Sequence, residues 1–172
     1  MVIFDFDQTL VDTSPVENLR ANRDWRGVMS RASSLQVYDG MTSLLRDLRA
    51  AGETVAIVTK SPDMVAKAFI REHAWPIDIV VGFHQVKRRK PDPEGLLLAV
   101  RQAGASAADS CHVGDRPEDT EAAHAAGMPA IGAAWGLDDA AALRASGPDH
   151  LFETVADLRT FLFRRRRQDT AR

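Results

Sequence analysis

Short apolar runs alternate along this chain with longer segments of mixed polarity. Five of the runs have the length and the β-branched content of buried strands, and a shorter sixth run follows near the carboxyl end. The runs cover residues 2–4, 54–59, 77–82, 110–114, 128–133 and 151–152.

Between these runs, apolar residues recur at intervals of three or four, the spacing of a helix with one buried face. The clearest case has Met41, Leu44, Leu45 and Leu48 on one face and Gly52 after its end. Helices are predicted over residues 16–33, 41–51, 63–73, 92–102, 118–126, 138–145 and 154–163. Strands that alternate with helices predict an α/β fold with five to six mainly parallel strands and helices on both faces.

The polar segment 12–39, between the first strand and the first strongly amphipathic helix, departs from this pattern. Ser14, Pro15 and Glu17 have the pattern of a helix start, with Ser14 as its N-cap. We expect one helix over 16–33, interrupted near Gly27, that lies over the sheet edge as a short flap. The chain then forms a single domain, 1–163, followed by a basic flexible tail, 164–172.

Composition narrows the class of protein. The chain has 172 residues and a formal net charge of −2, which gives no overall attraction to nucleic acid or to an anionic membrane. No apolar run reaches the length that crosses a bilayer, and no charged leader precedes an apolar one. Cys111 is the single cysteine, which excludes an internal disulfide and fits a reducing compartment. We therefore expect a cytoplasmic protein.

Two carboxylates, Asp5 and Asp7, follow the first strand directly. Because side chains alternate along a strand, both lie on one side if the chain stays extended; if it turns, Asp7 offers a side chain or a carbonyl. Ligands bind at the carboxyl edge of such sheets, and a cation relieves the repulsion between carboxylates. The working hypothesis is a Mg²⁺-assisted site with Asp5 as nucleophile and Asp7 as general acid and base. The alternative is a strand end with an Asx turn.

Three further polar clusters follow at the same predicted edge. Thr59 could hold a phosphate oxygen or cap the next helix. Lys90 could act as a point charge on phosphate or belong to a solvated basic stretch. Asp115 and Asp119 could complete a cation site, or Asp119 could favour a helix N-terminus. The five histidines lack close ligand spacing and are interpreted as core or surface residues.

Taken in order, four motifs resemble those of the haloacid dehalogenase-like hydrolases, most of which are phosphatases. They are the segment DFDQT at 5–9, Thr59 at a strand end, Lys90 in a KPDP segment, and GDRPED at 114–119. The resemblance extends to about Phe163. It implies a Rossmann-like three-layer α/β/α sandwich, and the short flap would stand in for the helical cap of many relatives.

The resemblance also implies a role for each motif residue. Asp5 would be the nucleophile, Asp7 the general acid and base, and Thr59 and Lys90 would contact the phosphate. The residues implied for Mg²⁺ are Asp5, the carbonyl of Asp7, Asp115 and Asp119, the last through the water shell of the metal or through Lys90. The residues predicted to bind substrate are Thr59, Lys60, Ser61 and Lys90, with Arg23 and Trp25 on the flap and Arg20 and Arg26 as further flap candidates.

The leading hypothesis is a Mg²⁺-dependent phosphomonoester hydrolase that acts through an aspartyl-phosphate on Asp5. The short flap leaves the site open, so the phosphorylated substrate could be a small molecule or a macromolecule. One alternative is a phosphotransferase or phosphomutase. Another is a non-catalytic binding module that uses the arginines at 164–167 to hold nucleic acid or a protein, which the intact catalytic set disfavours. The flap could contact substrate or a neighbouring subunit, and the oligomeric state stays open.

Overall fold

One parallel sheet forms the centre of the molecule. The computed structural model describes residues 1–169, with side chains as far as Arg164. The strand order is β3-β2-β1-β4-β5-β6, and every pairing is parallel. The strands are β1 Val2–Phe4, β2 Val55–Val58, β3 Ile79–Val81, β4 Cys111–Gly114, β5 Ala130–Ala133 and β6 His150–Phe152. The predicted number and direction of the strands are confirmed.

Helices cover both faces of the sheet, as predicted. They are α1 Glu17–Ala21, α2 Trp25–Met29, α3 Met41–Ala50, α4 Asp63–His73, α5 Glu94–Ala103, α6 Pro117–Ala125, α7 Ala141–Ala145 and α8 Val155–Asp169. Short 3₁₀ turns occur at Ser14–Val16 and Phe83–Gln85. Phe4 faces a core with Leu44 of α3 and Leu158 of α8, whereas Ile3 faces the opposite core with Leu96 of α5. This is the predicted Rossmann-like three-layer α/β/α sandwich.

The register brings three strand ends level with one another. Phe4, the last residue of β1, pairs with Ile57 of β2 and with Val113 of β4. The loops that leave β1, β2 and β4 therefore start side by side at one edge of the sheet. This arrangement confirms the predicted convergence of the polar clusters.

The single helix predicted over 16–33 is wrong. The segment forms a 3₁₀ turn, then α1, then α2, and the break lies before Gly27, at Arg23, whose φ is +58°. Asp24 begins α2 by accepting a 2.9 Å hydrogen bond from the Gly27 N–H. Ser14 is not an N-cap: its N–H and its hydroxyl both donate to Asp12 Oδ1, at 2.9 and 2.6 Å.

The last helix also differs from its prediction. We placed its end at Phe163, but α8 continues to Asp169, so the predicted flexible tail is helical over 164–169. The remaining tail residues, 170–172, lie outside the described residues. Among the helices that the structure describes, none combines the length and the apolarity that a bilayer crossing requires.

Candidate active site

The chain bends at Phe6, two residues after the end of β1, and the Phe6 carbonyl accepts from the Leu10 N–H. Phe6 is fully buried, with its ring edge-on to Phe69 at a centroid distance of 5.0 Å. Asp5 and Asp7, on either side of it, both line a cavity. Gln8 then takes a left-handed backbone with φ of +58°, which turns the chain away from the sheet. Of the two arrangements left open by the sequence, Asp7 therefore presents its side chain to the cavity.

The cavity lies at the carboxyl ends of β1, β2 and β4 and has a volume of about 170 Å³. It is lined mainly by charged side chains of both signs. The described residues that line it are Asp5, Asp7, Glu17, Arg20, Lys60, Lys90, Arg116, Glu118 and Asp119.

Lys90 is buried at the base of this cavity. Its Nζ lies 2.8 Å from Asp5 Oδ1, 2.5 Å from Asp119 Oδ1 and 3.1 Å from the carbonyl oxygen of Val58. An ammonium has three N–H donors, so each of them has an acceptor here. Burial lowers the pKa of Lys90, but Asp119 and Asp5 outweigh that effect and raise it above its usual value. The alternative of a solvated basic side chain is wrong for Lys90.

Asp119 links Lys90 to the strand behind it. Oδ1 also lies 3.1 Å from His112 Nε2, and Oδ2 accepts a 3.0 Å hydrogen bond from the Arg116 N–H. Burial raises the pKa of Asp119, but Lys90 and His112 more than offset it, so the pKa lies below its usual range. Because both oxygens of Asp119 have protein partners, its contacts favour the alternative in which it supports Lys90.

His112 is a site residue that sequence reasoning missed. The interpretation as a core or surface histidine is correct, because His112 is buried, but its ring lies between the β1 backbone and Asp119 of the site. Its Nδ1 lies 3.1 Å from the carbonyl oxygen of Ile3, and its Nε2 contacts Asp119. The available signal was a histidine inside an otherwise apolar strand, because a buried imidazole needs hydrogen-bond partners.

Three buried carboxylates, Asp5, Asp115 and Asp119, form a cluster that fits a metal ion. One oxygen from each lies within 4.8 Å of the others. Burial raises the pKa of Asp5 to about 6 although Lys90 opposes it, and burial with the charges of Asp5 and Asp119 raises the pKa of Asp115 to about 8. Asp115 Oδ1 also accepts a 3.2 Å hydrogen bond from the Thr9 hydroxyl. Crowded hard oxygen ligands of this kind suit a divalent cation.

Asp7 was predicted among the metal ligands through its carbonyl, and its side chain is not part of that cluster. Its Oδ2 lies 3.0 Å from Arg20 Nη2 and accepts a 2.8 Å hydrogen bond from the Ser61 hydroxyl. Its Oδ1 is buried with no hydrogen-bond partner among the described residues. Arg20 also pairs with Glu17 at 2.5 Å. Of the four flap candidates, Arg20 is the one that reaches the cavity.

The loop after β2 holds three residues predicted to bind substrate. The Thr59 hydroxyl accepts a 3.0 Å hydrogen bond from the Ser61 N–H, and Pro62 rather than Thr59 is the N-cap of α4. Lys60 lines the cavity and pairs with Glu118 at 3.1 Å. The Ser61 hydroxyl contacts Asp7, so of these three side chains only Lys60 lies on the wall of the cavity.

The two flap residues assigned to substrate binding lie away from the cavity. Arg23 is exposed, at the break between α1 and α2. Trp25 is partly buried and packs against the core on the α3 side. Neither belongs to the described lining of the cavity.

Known proteins with similar sequences carry phosphatase names. The chain is 36% identical over 103 residues to a phosphoglycolate phosphatase of Xanthomonas campestris pv. campestris, covering 59% of this chain and 47% of that protein. It is 35% identical over 133 residues to the probable phosphatase IndB of Dickeya dadantii, covering 76% and 57%. The chain thus spans about half the length of the curated relatives it matches.

A solved structure shares the fold, and a family model identifies the family. A crystal structure of a hydrolase from Pseudomonas syringae superposes with a TM-score of 0.80 at 21% identity, covering 95% of this chain and 97% of that chain. The family model described as haloacid dehalogenase-like hydrolase matches residues 17–133, which is more than half of the chain and includes Lys90, Asp115 and Asp119. The chain belongs to the haloacid dehalogenase-like hydrolases.

Proposed function

We propose that the protein is a Mg²⁺-dependent phosphomonoester hydrolase that acts through an aspartyl-phosphate on Asp5. The observation that carries this proposal is the position of Lys90, whose Nζ contacts both Asp5 and Asp119 beside Asp115. A carboxylate nucleophile, a buried cation and a cluster of further carboxylates are the groups that phosphoryl transfer through an acyl phosphate requires. The phosphatase names of the relatives support the same reaction.

The residues proposed to hold the cation are Asp5, Asp115 and the Asp7 carbonyl, while Asp119 supports Lys90 beside them. The donor set fits because the clustered groups are all carboxylates, and because burial and mutual repulsion raise the pKa of Asp115 to about 8. When bound, a divalent cation neutralises charge on the transferring phosphoryl group.

In the first half of the reaction, a carboxylate oxygen of Asp5 forms a bond to phosphorus while the bond from phosphorus to the ester oxygen breaks. Asp7 gives a proton to that leaving oxygen. The Lys90 contact holds Asp5 in place and offsets negative charge near the phosphoryl group. The Thr59 hydroxyl is not on the cavity wall; by accepting from the Ser61 N–H it holds the loop that carries Lys60 and Ser61.

In the second half, Asp7 accepts a proton from water as the water oxygen attacks phosphorus. The bond from phosphorus to Asp5 breaks, inorganic phosphate leaves, and the Asp5 carboxylate is restored. Asp7 is suited to both transfers because it lines the same cavity as Asp5, two residues along the chain. Its Oδ1 accepts no hydrogen bond from the described residues.

The proposed substrate is a phosphorylated small molecule, or a phosphate exposed on a macromolecule. A cavity of about 170 Å³ holds a phosphate group with a short arm, whereas a longer substrate would extend past the flap. The proposed compartment is the cytoplasm, since a chain with one cysteine has no internal disulfide to keep oxidised.

The test is phosphate release from a panel of phosphomonoesters, with Mg²⁺ and with EDTA, for the wild type, Asp5→Asn and the exposed control Asp138→Asn. We expect Mg²⁺-dependent release that Asp5→Asn abolishes and Asp138→Asn preserves, while circular dichroism shows all three folded. Mass spectrometry of acid-quenched protein should find phosphate on Asp5. An isomeric product without free phosphate would indicate a mutase, and release that survives in Asp5→Asn would refute the proposal.

A further inference from the structure

One oxygen of Asp7 takes both of the hydrogen bonds that this carboxylate receives from other side chains. Arg20 Nη2 approaches Oδ2 to 3.0 Å, and the Ser61 hydroxyl donates to the same atom at 2.8 Å. The other oxygen, Oδ1, is buried and has no hydrogen-bond partner among the described residues. The two oxygens of one carboxyl group therefore have different environments.

A buried acceptor without a partner calls for an explanation, because nearly all such groups in folded proteins are hydrogen-bonded. Arg20 and Ser61 both contact Oδ2. Asp7 also lines the cavity that contains Asp5. Two side chains from different parts of the fold therefore hold this carboxyl group by one oxygen, beside the proposed nucleophile.

We propose that Arg20 and Ser61 are positioning residues that hold Asp7 by Oδ2, so that its carboxyl group keeps the orientation that proton transfer to and from the ligand needs. This inference rests on the proposed phosphatase function. Oδ2 accepts the two hydrogen bonds whether Oδ1 is protonated or bare, because the carbonyl oxygen of an acid and an oxygen of a carboxylate are both acceptors. The same orientation therefore serves both halves of the reaction.

The two positioning residues come from different parts of the fold, and each is itself held. Ser61 follows β2, is buried, and donates its N–H to the Thr59 hydroxyl at 3.0 Å. Arg20 lies on α1 of the flap, and its Nη1 pairs with Glu17 one turn earlier. The flap thus supplies the arginine that contacts Asp7, the proposed general acid. None of the four motifs supplies an arginine to this carboxylate.

The sequence motifs do not point to this role for Arg20. It lies outside the four motifs, and its direction is seen only in its contacts with Asp7 and Glu17. Its guanidinium suits the task because it is planar and can bridge two carboxylates, here Asp7 and Glu17, in a fixed geometry.

The experiment measures kcat/KM for a series of phosphomonoesters whose leaving groups range from p-nitrophenol to a simple alcohol. A poor leaving group needs the proton from Asp7, whereas p-nitrophenolate leaves without it. The variants are Arg20→Ala, Arg20→Lys and Ser61→Ala, with Asp7→Asn as reference and Arg26→Ala, an exposed arginine of the same flap, as control.

We expect Arg20→Ala and Ser61→Ala to lower kcat/KM about 10- to 100-fold for the alkyl ester and only about threefold for the p-nitrophenyl ester, since general acid catalysis contributes about 10²- to 10⁴-fold. Asp7→Asn should show the same trend more steeply. Arg20→Lys, which keeps a donor and a charge, should recover part of the loss, and Arg26→Ala should match the wild type.

A double-mutant cycle separates positioning from other roles. If Arg20 acts through Asp7, adding Arg20→Ala to Asp7→Asn should change kcat/KM by less than about twofold, because the coupled function is already lost. A substrate-binding arginine would instead raise KM in both backgrounds.

Three results would overturn the inference. They are a loss of equal size for all leaving groups, a loss that persists in the Asp7→Asn background, and a wild-type leaving-group dependence in both Arg20→Ala and Ser61→Ala. Ser61→Ala removes a single oxygen, so it carries the test if Arg20→Ala does not fold. A wild type that releases no phosphate from any ester would overturn the proposed function and this inference together, whereas a flat response in an active enzyme would overturn this inference alone.

Discussion

A methyl group on Gly114 would lie 2.4 Å from the carboxyl carbon of Asp119, so only the bare backbone of a glycine lets this carboxylate occupy its place. We expect Gly114→Ala to displace Asp119, to loosen its 2.5 Å contact with Lys90, and to lower the free energy of unfolding by about 1–3 kcal/mol, as overpacking does. Urea denaturation measures the loss, and phosphate release should fall with it.

The matched control for this variant is Gly52→Ala. Gly52 has a φ of +80° and no atom within 4 Å of the added methyl group, so alanine there introduces backbone strain without a clash. We expect Gly52→Ala to cost about 1 kcal/mol and to keep full activity. If Gly114→Ala also kept full activity, the displacement of Asp119 would have no effect on the reaction. The proposal that Asp119 supports Lys90 in catalysis would then be wrong.

Removing Lys90 should be far more costly than removing a surface lysine. Lys90→Met leaves two buried carboxylates without their cation, and we expect a loss of about 3–5 kcal/mol in the free energy of unfolding in EDTA. Adding Asp119→Asn should restore part of it. Lys60→Met, which breaks the half-exposed pair with Glu118, should cost about 1 kcal/mol or less. Equal costs for the two lysine variants would contradict the buried network.

Cation binding should release protons and should weaken as the pH falls. Without a cation, the pKa of Asp115 is raised to about 8 and that of Asp5 to about 6. As the pH falls, protons therefore bind to the same carboxylates that the cation needs as ligands. We expect Mg²⁺ affinity to rise up to about tenfold per pH unit between pH 6 and 8. Calorimetry in two buffers of different ionisation enthalpy counts the protons, and an affinity independent of pH would rule out these carboxylates.

The same pKa shift predicts how stability depends on pH without a cation. The carboxyl of Asp115 has a pKa of about 8 in the folded protein and about 4 when unfolded, so the folded state binds this proton more tightly. Its stabilising contribution is complete below pH 4 and is lost as the pH rises toward 8. In EDTA, the melting temperature of Asp115→Asn should therefore fall less between pH 6 and 8.5 than that of the wild type.

The control for this comparison is Asp78→Asn, which removes a half-exposed carboxylate on the surface. It should follow the wild-type dependence on pH and should keep the rise in melting temperature that Mg²⁺ gives. Asp115→Asn should lose most of that rise. A wild-type pH dependence in Asp115→Asn would assign the titration to another group.

The layout of the sheet could be predicted because each strand is specified by a few residues that are consecutive in the sequence. Buried β-branched runs such as Val55–Val58 indicate their own conformation, and parallel strands bring their carboxyl ends to one edge. Asp5, Lys90 and Asp115 could be placed at that edge because each follows or precedes such an element by a few residues. A parallel sheet therefore brings these three residues together at one edge.

The flap could not be predicted in the same way. Which of its side chains point into the cavity depends on contacts with other parts of the fold, and the pattern of apolar and polar residues does not show those contacts. Apolar residues are too sparse there to fix the phase of a helix, and the left-handed Arg23 with the Asp24 cap breaks it. Arg20 lines the cavity and Arg23 is exposed, although Arg23 was the one predicted to bind substrate and Arg20 only a further candidate. His112 was missed for a related reason, since its partners Ile3 and Asp119 come from other elements.

The strand order has a consequence for the way in which the chain is synthesised. β1 lies between β2 and β4, so the ribosome completes one neighbour of β1 early and the other only about 100 residues after β1 itself. At about 5–20 residues per second, the Asp5 segment spends roughly 5–20 s with one side open before Cys111–Gly114 emerges. For that interval a short apolar strand offers an exposed edge, which makes the half-made chain, rather than the finished protein, the form most open to aggregation and to chaperones.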